Sequence, residues 1–155
     1  MFAIQTAKKI IASGERYFFL LMVAINLIPV VSFRFFPTLD GPAHLYNSNL
    51  ILHLLGNNTA LKDFFVFNPM LVPNWTSHIV LTLFNAFLPA FLAEKLFFIF
   101  YVTGFAFSFR ALISRVSADN KWISYFIFPF IYSFTFYLGF YNFSISLIFL
   151  FITLD

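Results

Sequence analysis

Asp40 and His44 stand four residues apart in the string Pro37-Thr38-Leu39-Asp40-Gly41-Pro42-Ala43-His44-Leu45-Tyr46-Asn47. If a helix begins at Asp40 or Gly41, that spacing is about one turn, and both side chains can converge on one ligand. A carboxylate in this position can take a proton from a nucleophile or hold a divalent cation. Asn47 and Ser48 continue the same face. Asp40 also stands where a helix N-cap would, and in that role its side chain does no chemistry. His44 reads equally as a ligand or as an interfacial hydrogen-bonding residue. Both pairs of readings are open at this point.

The element that must carry these residues is a helix from Pro42 to Leu55. Pro42 suits a first turn and Gly56 a stop. Its first half is polar and its second half, with Leu50, Ile51, Leu52, Leu54 and Leu55, is apolar, which suits a helix lying in a membrane interface. The whole chain points the same way. Of its 155 residues, 61% are hydrophobic and only 10% charged, against roughly 25% charged in an ordinary soluble domain. That excludes a soluble enzyme and a disordered segment. A net charge of +3 carried by nine basic residues is too thinly spread for a nucleic-acid binder. With no cysteine there is no disulfide, thiolate metal site or cysteine nucleophile.

A crossing helix needs about 20 apolar residues. The pattern predicts an all-α, polytopic transmembrane bundle forming one domain, with spans at about 17–36, 77–93, 96–113, 122–138 and 141–155. The polar stretch 37–76 is then a long first external loop with the interfacial helix inside it. Glu94-Lys95 is expected as a tight turn between two crossings. The charge-free run of 33 residues from Trp122 to Leu154 is too long for one helix and is expected to break near Gly139, Tyr141 and Asn142. The chain is still apolar where it reaches Asp155 and is expected to continue. Trp75 and Trp122 suit interfaces. Asn57-Asn58-Thr59, Asn74-Trp75-Thr76 and Asn142-Phe143-Ser144 match the glycosylation acceptor pattern, which means nothing in a bacterium.

Lys8, Lys9 and Arg16 ahead of the first span put the N-terminus in the cytoplasm. Counting crossings from there places 114–121 outside, yet Arg110, Arg115 and Lys121 against Asp119 favour the cytoplasm. Either the positive-inside rule fails here, or Ile79–Ile113 holds a re-entrant element in place of two crossings. Arg34 closes the first span and is placed to meet a phosphate or lipid headgroups. Arg110 lies in an apolar run, where a charge is costly and often functional, although snorkelling serves it equally well.

One span, a long external loop opening with an acidic residue, and then densely packed apolar helices resemble the N-terminal part of a GT-C type integral-membrane glycosyltransferase. Leu39-Asp40-Gly41-Pro42-Ala43-His44 resembles the acid-x-Pro-x-His start of the first external loop in many bacterial members. Tyr137-Leu138-Gly139-Phe140-Tyr141-Asn142-Phe143 resembles a Gly-aromatic-x-Asn-aromatic turn of the same group. The resemblance implies a transferase at the outer face of a bacterial cytoplasmic membrane, moving a hexosyl or pentosyl group from a polyprenyl-phosphate donor. It implies catalytic roles for Asp40 and His44, and substrate contacts for Arg34, Asn47 and Asn142. The cofactor stays open; a divalent cation is the candidate, with Asp40 and Asp119 as its ligands, although the first loop has no Asp-x-Asp pair. Expected partners are membrane lipids and the lipid-linked donor, and no nucleic acid. A non-catalytic polytopic membrane protein or a transporter subunit is the alternative.

Overall fold

Two helices in the computed structural model are long and apolar enough to cross a membrane, Ser13–Ser32 and Ala90–Val116. The structure describes residues 2–56, 59–68, 70, 73–117 and 119–155, with side chains from Ser13 onward except Thr59. Asn57 and Asn58 of the first acceptor triplet, and Pro69, lie outside the described residues. Every regular element among the described residues is helical: α1 Phe2–Ser32, α2 Gly41–Leu55, α3 Thr59–Lys62, α4 Thr76–Asn85, α5 Ala90–Val116, a 3-10 helix Lys121–Ile127, α6 Phe128–Ile131, α7 Phe134–Tyr137 and α8 Tyr141–Leu154.

α1 continues through Pro29 and stops at Ser32, four residues before the expected end. Pro37 prevents further helix, and the freed ends of the chain are taken up by the residues expected to form a turn. Lys95 Nζ donates to the Val31 carbonyl at 2.7 Å, and Phe36 N–H donates to the Glu94 carboxylate at 3.4 Å. A lysine on the last carbonyls of a helix is favourable for its dipole as well as its hydrogen bonds. Glu94 and Lys95 therefore sit inside α5, and the expected turn there is overturned. The chain breaks instead at Ala86–Pro89, with Pro89 extended at the start of α5 (ψ 147°). What precedes it, α4, has 10 residues, about 15 Å of helix, well short of a crossing. Ile79–Ile113 thus holds one short helix and one long one, in place of the two expected helices of crossing length.

The expected helix over 122–138 is also absent. In its place run the 3-10 helix, α6, a break at Tyr132–Ser133 and α7, whose N-cap Ser133 side chain accepts from Phe136 N–H. A 3-10 rise of about 2.0 Å per residue lets this broken stretch reach about as far as a longer α-helix would. It does so: Tyr125 Oη donates to the Glu15 carbonyl at one end, and Leu39 N–H donates to the Tyr137 carbonyl at the other. Gly139, with φ +89°, makes the final break before α8, as the sequence predicts.

These contacts give the directions of the passes. α1 and the 121–138 stretch run one way; α5 and α8 run the other, parallel and packed together. The centre is aromatic: Tyr101 stacks on Phe136 at 4.7 Å, and Phe36, Phe98 and Tyr141 close around them. One end of the bundle holds Glu15 with Arg110 and Arg115 with Asp155. Arg16, Lys121 and Asp119 belong to it by position, so among the described side chains four basic residues meet three acidic ones. The opposite end has Arg34, Lys62 and Lys95 against Asp40, Asp63 and Glu94. Among the described side chains the net positive charge lies at one end.

Candidate functional site

At the neutral end, the two motifs singled out in the sequence lie against each other. Leu39 N–H and Asp40 N–H donate to the Tyr137 and Leu138 carbonyls at 2.9 and 3.3 Å. The Thr38 and Tyr141 hydroxyls are hydrogen-bonded over Gly41, where a Cβ would meet both oxygens, at 2.1 and 2.4 Å. His44 Nε2 lies 2.9 Å from the Gly139 carbonyl, and its ring packs on Tyr141 with centroids 4.8 Å apart. Between them opens a cleft of about 500 Å³, lined by Asp40, His44, Asn74, Thr135 and residues 139–143.

Asp40 does cap α2, but only through its backbone. Its carbonyl accepts from His44 N–H at 3.1 Å, while the side chain makes no cap hydrogen bond. The carboxylate is exposed on the cleft wall. His44 is half-buried, and burial is the main reason its ring is held below the ordinary value of 6.5. Repulsion from His78 adds to this, while the Gly139 carbonyl and Asp40 oppose it.

The other expected site residues divide. Asn142 lines the cleft, but its amide is committed: Oδ1 accepts from Ser77 N–H and Nδ2 donates to Ser77 Oγ, both at 2.8 Å. Because Trp75, the N-cap of α4, offers no side-chain bond, Asn142 caps α4 from another helix. It frames the site and does not offer free groups to a ligand. Asn142→Ala is expected to lower stability by about 1–2 kcal/mol, the usual cost of a lost cap, while Asn142→Asp, which keeps the acceptor, loses less. Thermal unfolding followed by circular dichroism checks both, and equal losses would argue against a capping role.

Arg34 is not among the cleft residues; its guanidinium lies over Phe91 at 5.3 Å and Phe35 at 5.9 Å. Asn47 is exposed outside the cleft. Ser48 is buried, accepting from Asn85 Nδ2 at 2.6 Å and tying α2 to α4. Asp119 lies at the charged end, about 20 Å away along the 14 residues of α8, so Asp40 and Asp119 cannot share a cation. Among the described residues no group of three or more His, Asp or Glu side chains is placed to hold a metal ion.

Sequence reasoning missed Asn74 and His78. His78 Nε2 lies 3.3 Å from His44 Nδ1, and His78 Nδ1 lies 3.2 Å from the Asn74 carbonyl. The signal was present: Asn74-x-x-x-His78 repeats the spacing of Asp40-x-x-x-His44, each histidine in the first turn of a helix. Comparisons with protein-family models, with curated proteins and with solved structures find no match to this chain.

Proposed function

We propose that this chain is the N-terminal part of a membrane glycosyltransferase of GT-C type, with the cleft as its sugar-transfer site. The observation that carries the reading is the meeting of Leu39–His44 and Tyr137–Phe143. These two motifs, about a hundred residues apart in the chain, line one cleft, with Asp40 exposed at its wall and its side chain free of the helix cap. In this reading the Asp40 carboxylate takes the proton of an acceptor hydroxyl as that oxygen attacks the anomeric carbon. The bond from that carbon to the phosphate oxygen breaks, and the polyprenyl phosphate leaves with the electron pair. His44 orders the loop that carries Asp40. Arg34, off the cleft and exposed, suits lipid headgroups better than the donor phosphate.

A polytopic placement is supported by surface as well as length. α1 exposes Leu21, Ile25 and Ile28, α5 exposes Leu96, Phe100 and Phe107, and α8 exposes Phe149, Leu150 and Ile152. Apolar faces this extensive on three helices fit hydrocarbon and not water. In such a membrane the basic end faces the cytoplasm under the positive-inside rule, which turns the cleft and the 37–76 loop to the outer face. In this reading α4 does not cross, and loop counting and loop charge then agree.

The test is transfer by the full-length protein in membrane vesicles given undecaprenyl-phosphate-linked hexoses and pentoses, one at a time, with label followed out of the lipid. Asp40→Asn is expected to reduce transfer by about a hundredfold or more, the scale of a lost general base, at unchanged membrane abundance. Full activity in that variant would remove Asp40 as the base and favour a non-catalytic role for the loop.

A further inference from the structure

The hydrogen bonds around His44 and His78 favour one count of the protons they hold. The Gly139 carbonyl can only accept, so His44, 2.9 Å away through Nε2, carries a proton on that nitrogen. The contact between His44 Nδ1 and His78 Nε2, 3.3 Å apart, takes one N–H from either ring, and burial of the His44 ring favours leaving it neutral, so that His78 Nε2 donates. His78 Nδ1 faces the Asn74 carbonyl at 3.2 Å and must donate as well. Three contacts need three N–H groups on two rings. Two neutral imidazoles have two, leaving one contact unmade. Two imidazoliums have four and turn one N–H against another. Only the singly protonated pair satisfies every contact.

We propose that His78 is a positioning residue of this site, sharing one proton with His44 in a chain of hydrogen bonds that runs from Asn74 to Gly139 across the cleft. Both anchoring carbonyls belong to residues with left-handed backbone, Asn74 at φ 72° and Gly139 at φ 89°. The pair thus joins the approach to α4 to the turn before α8, and through His44 it orders the loop bearing Asp40. Its use in sugar transfer rests on the function proposed above; the proton count does not.

The groups facing the pair are few. Asp40 comes from its own helix, and Tyr141 of α8 packs on His44. The turn between α7 and α8 contributes only its carbonyl, and Trp75 faces His78 with an uncharged ring. Because burial and His78 hold the His44 ring below its ordinary value, the folded chain resists a second proton. This contribution to stability is present above about pH 6.5 and is lost as pH falls through the lowered value. Losing the shared proton at higher pH releases one of the three bonds. The clasp is therefore tightest in a window between the two steps, which belong to the pair and not to either ring.

The experiment is nitrogen-15 NMR of histidine-labelled full-length protein in lipid nanodiscs across pH 4.5–9. Expected in the window are His44 protonated on Nε2 only, His78 protonated on both nitrogens, and a scalar coupling between His44 Nδ1 and His78 Nε2. In His78→Gln, whose amide can still donate, His44 is expected to keep its Nε2–H form but titrate as a single ring. In His78→Phe, with the Gly139 carbonyl still in place, His44 is expected to keep its Nε2–H form, lose the coupling and titrate as a single ring. Finding His44 protonated on Nδ1 in the wild-type chain, or titrating alike in all three proteins, would overturn the proposal, and the wild-type spectrum decides it even if a variant misfolds. Wild-type protein that shows the expected pattern but transfers no sugar would uphold the pair and sink the transferase reading.

Discussion

Gly139→Ala is expected to lower the stability of the chain by about 3 kcal/mol or more and to abolish the cleft. Two costs add. An L-residue at φ +89° is strained by about 1–2 kcal/mol, and the new methyl has nowhere to go. Its Cβ would stand 2.7 Å from Asp40 Cβ, 2.9 Å from Asp40 N and 3.0 Å from Asp40 Cα. These atoms are backbone or next to it and cannot rotate aside. Separating the strands of chain by the required distance breaks the bonds from Leu39 and Asp40 to Tyr137 and Leu138 and carries the carbonyl away from His44. Gly41→Ala is the informative companion. There the obstacles are the Thr38 and Tyr141 hydroxyls, so Tyr141→Phe should relieve part of that loss, whereas no side-chain truncation should rescue Gly139→Ala. Thermal unfolding in nanodiscs, read beside the transfer assay, checks both. A Gly139→Ala protein melting with the wild type would show that the two motifs are not in contact.

Arg110→Ala should be the most damaging loss of a charge. Arg110 Nη1 and Nη2 donate to the two oxygens of Glu15 at 2.8 and 2.7 Å, a bidentate pair. The guanidinium also lies 4.1 Å from the Phe19 ring centroid. The side chains are 15% and 23% exposed, and beyond each other they meet the Phe19 ring, the Ser124 hydroxyl 3.4 Å from Arg110 Nη1, and the Tyr125 hydroxyl and Lys121 beside Glu15. Removing one partner leaves a partly buried charge with only these weaker partners, a loss at the low end of the range of about 3–5 kcal/mol for fully buried pairs. Glu15→Ala should cost a similar amount, and the double exchange Glu15→Arg with Arg110→Glu should recover a good part of it. Denaturation of the singles, the double and the wild type as a thermodynamic cycle measures the coupling. A coupling below about 0.5 kcal/mol would reduce the pair to the standing of an exposed surface bridge. The sequence offers snorkelling or a functional charge for Arg110; the pairing with Glu15, 95 residues earlier, is neither.

Local rules read well where the answer is local. Pro42 and Gly56 bound α2 to within a residue, and Gly139 marks the break before α8. They fail where a distant segment supplies the partner. Glu94-Lys95 looks like a turn because two charges inside an apolar run need water or partners; the partners are Phe36 N–H and the Val31 carbonyl. Asn142 looks like a ligand group because its amide is polar beside aromatics; Ser77 uses both ends of it. The stretch 122–138 looks like one helix because no charge interrupts it, and only the packing of Tyr125 and Tyr132 on α1 reveals its broken path. At the site, the Asp40–His44 pair is legible from spacing. His78 is legible only once the same spacing is looked for a second time.

The cap that Asn142 places on α4 also sets an order of events during synthesis. α4 and the loop before it receive this bond only from a residue made 65 positions later, and His44 waits 95 positions for the Gly139 carbonyl. At about 5–20 residues per second that is a delay on the order of 5–20 s, long compared with helix formation. α1 and α2 therefore exist well before the surfaces that complete the cleft. A nascent chain halted near residue 130 should hold its first helix in place and leave the Asp40 loop open to proteolysis, and the loop should become protected only when Tyr141 and Asn142 emerge.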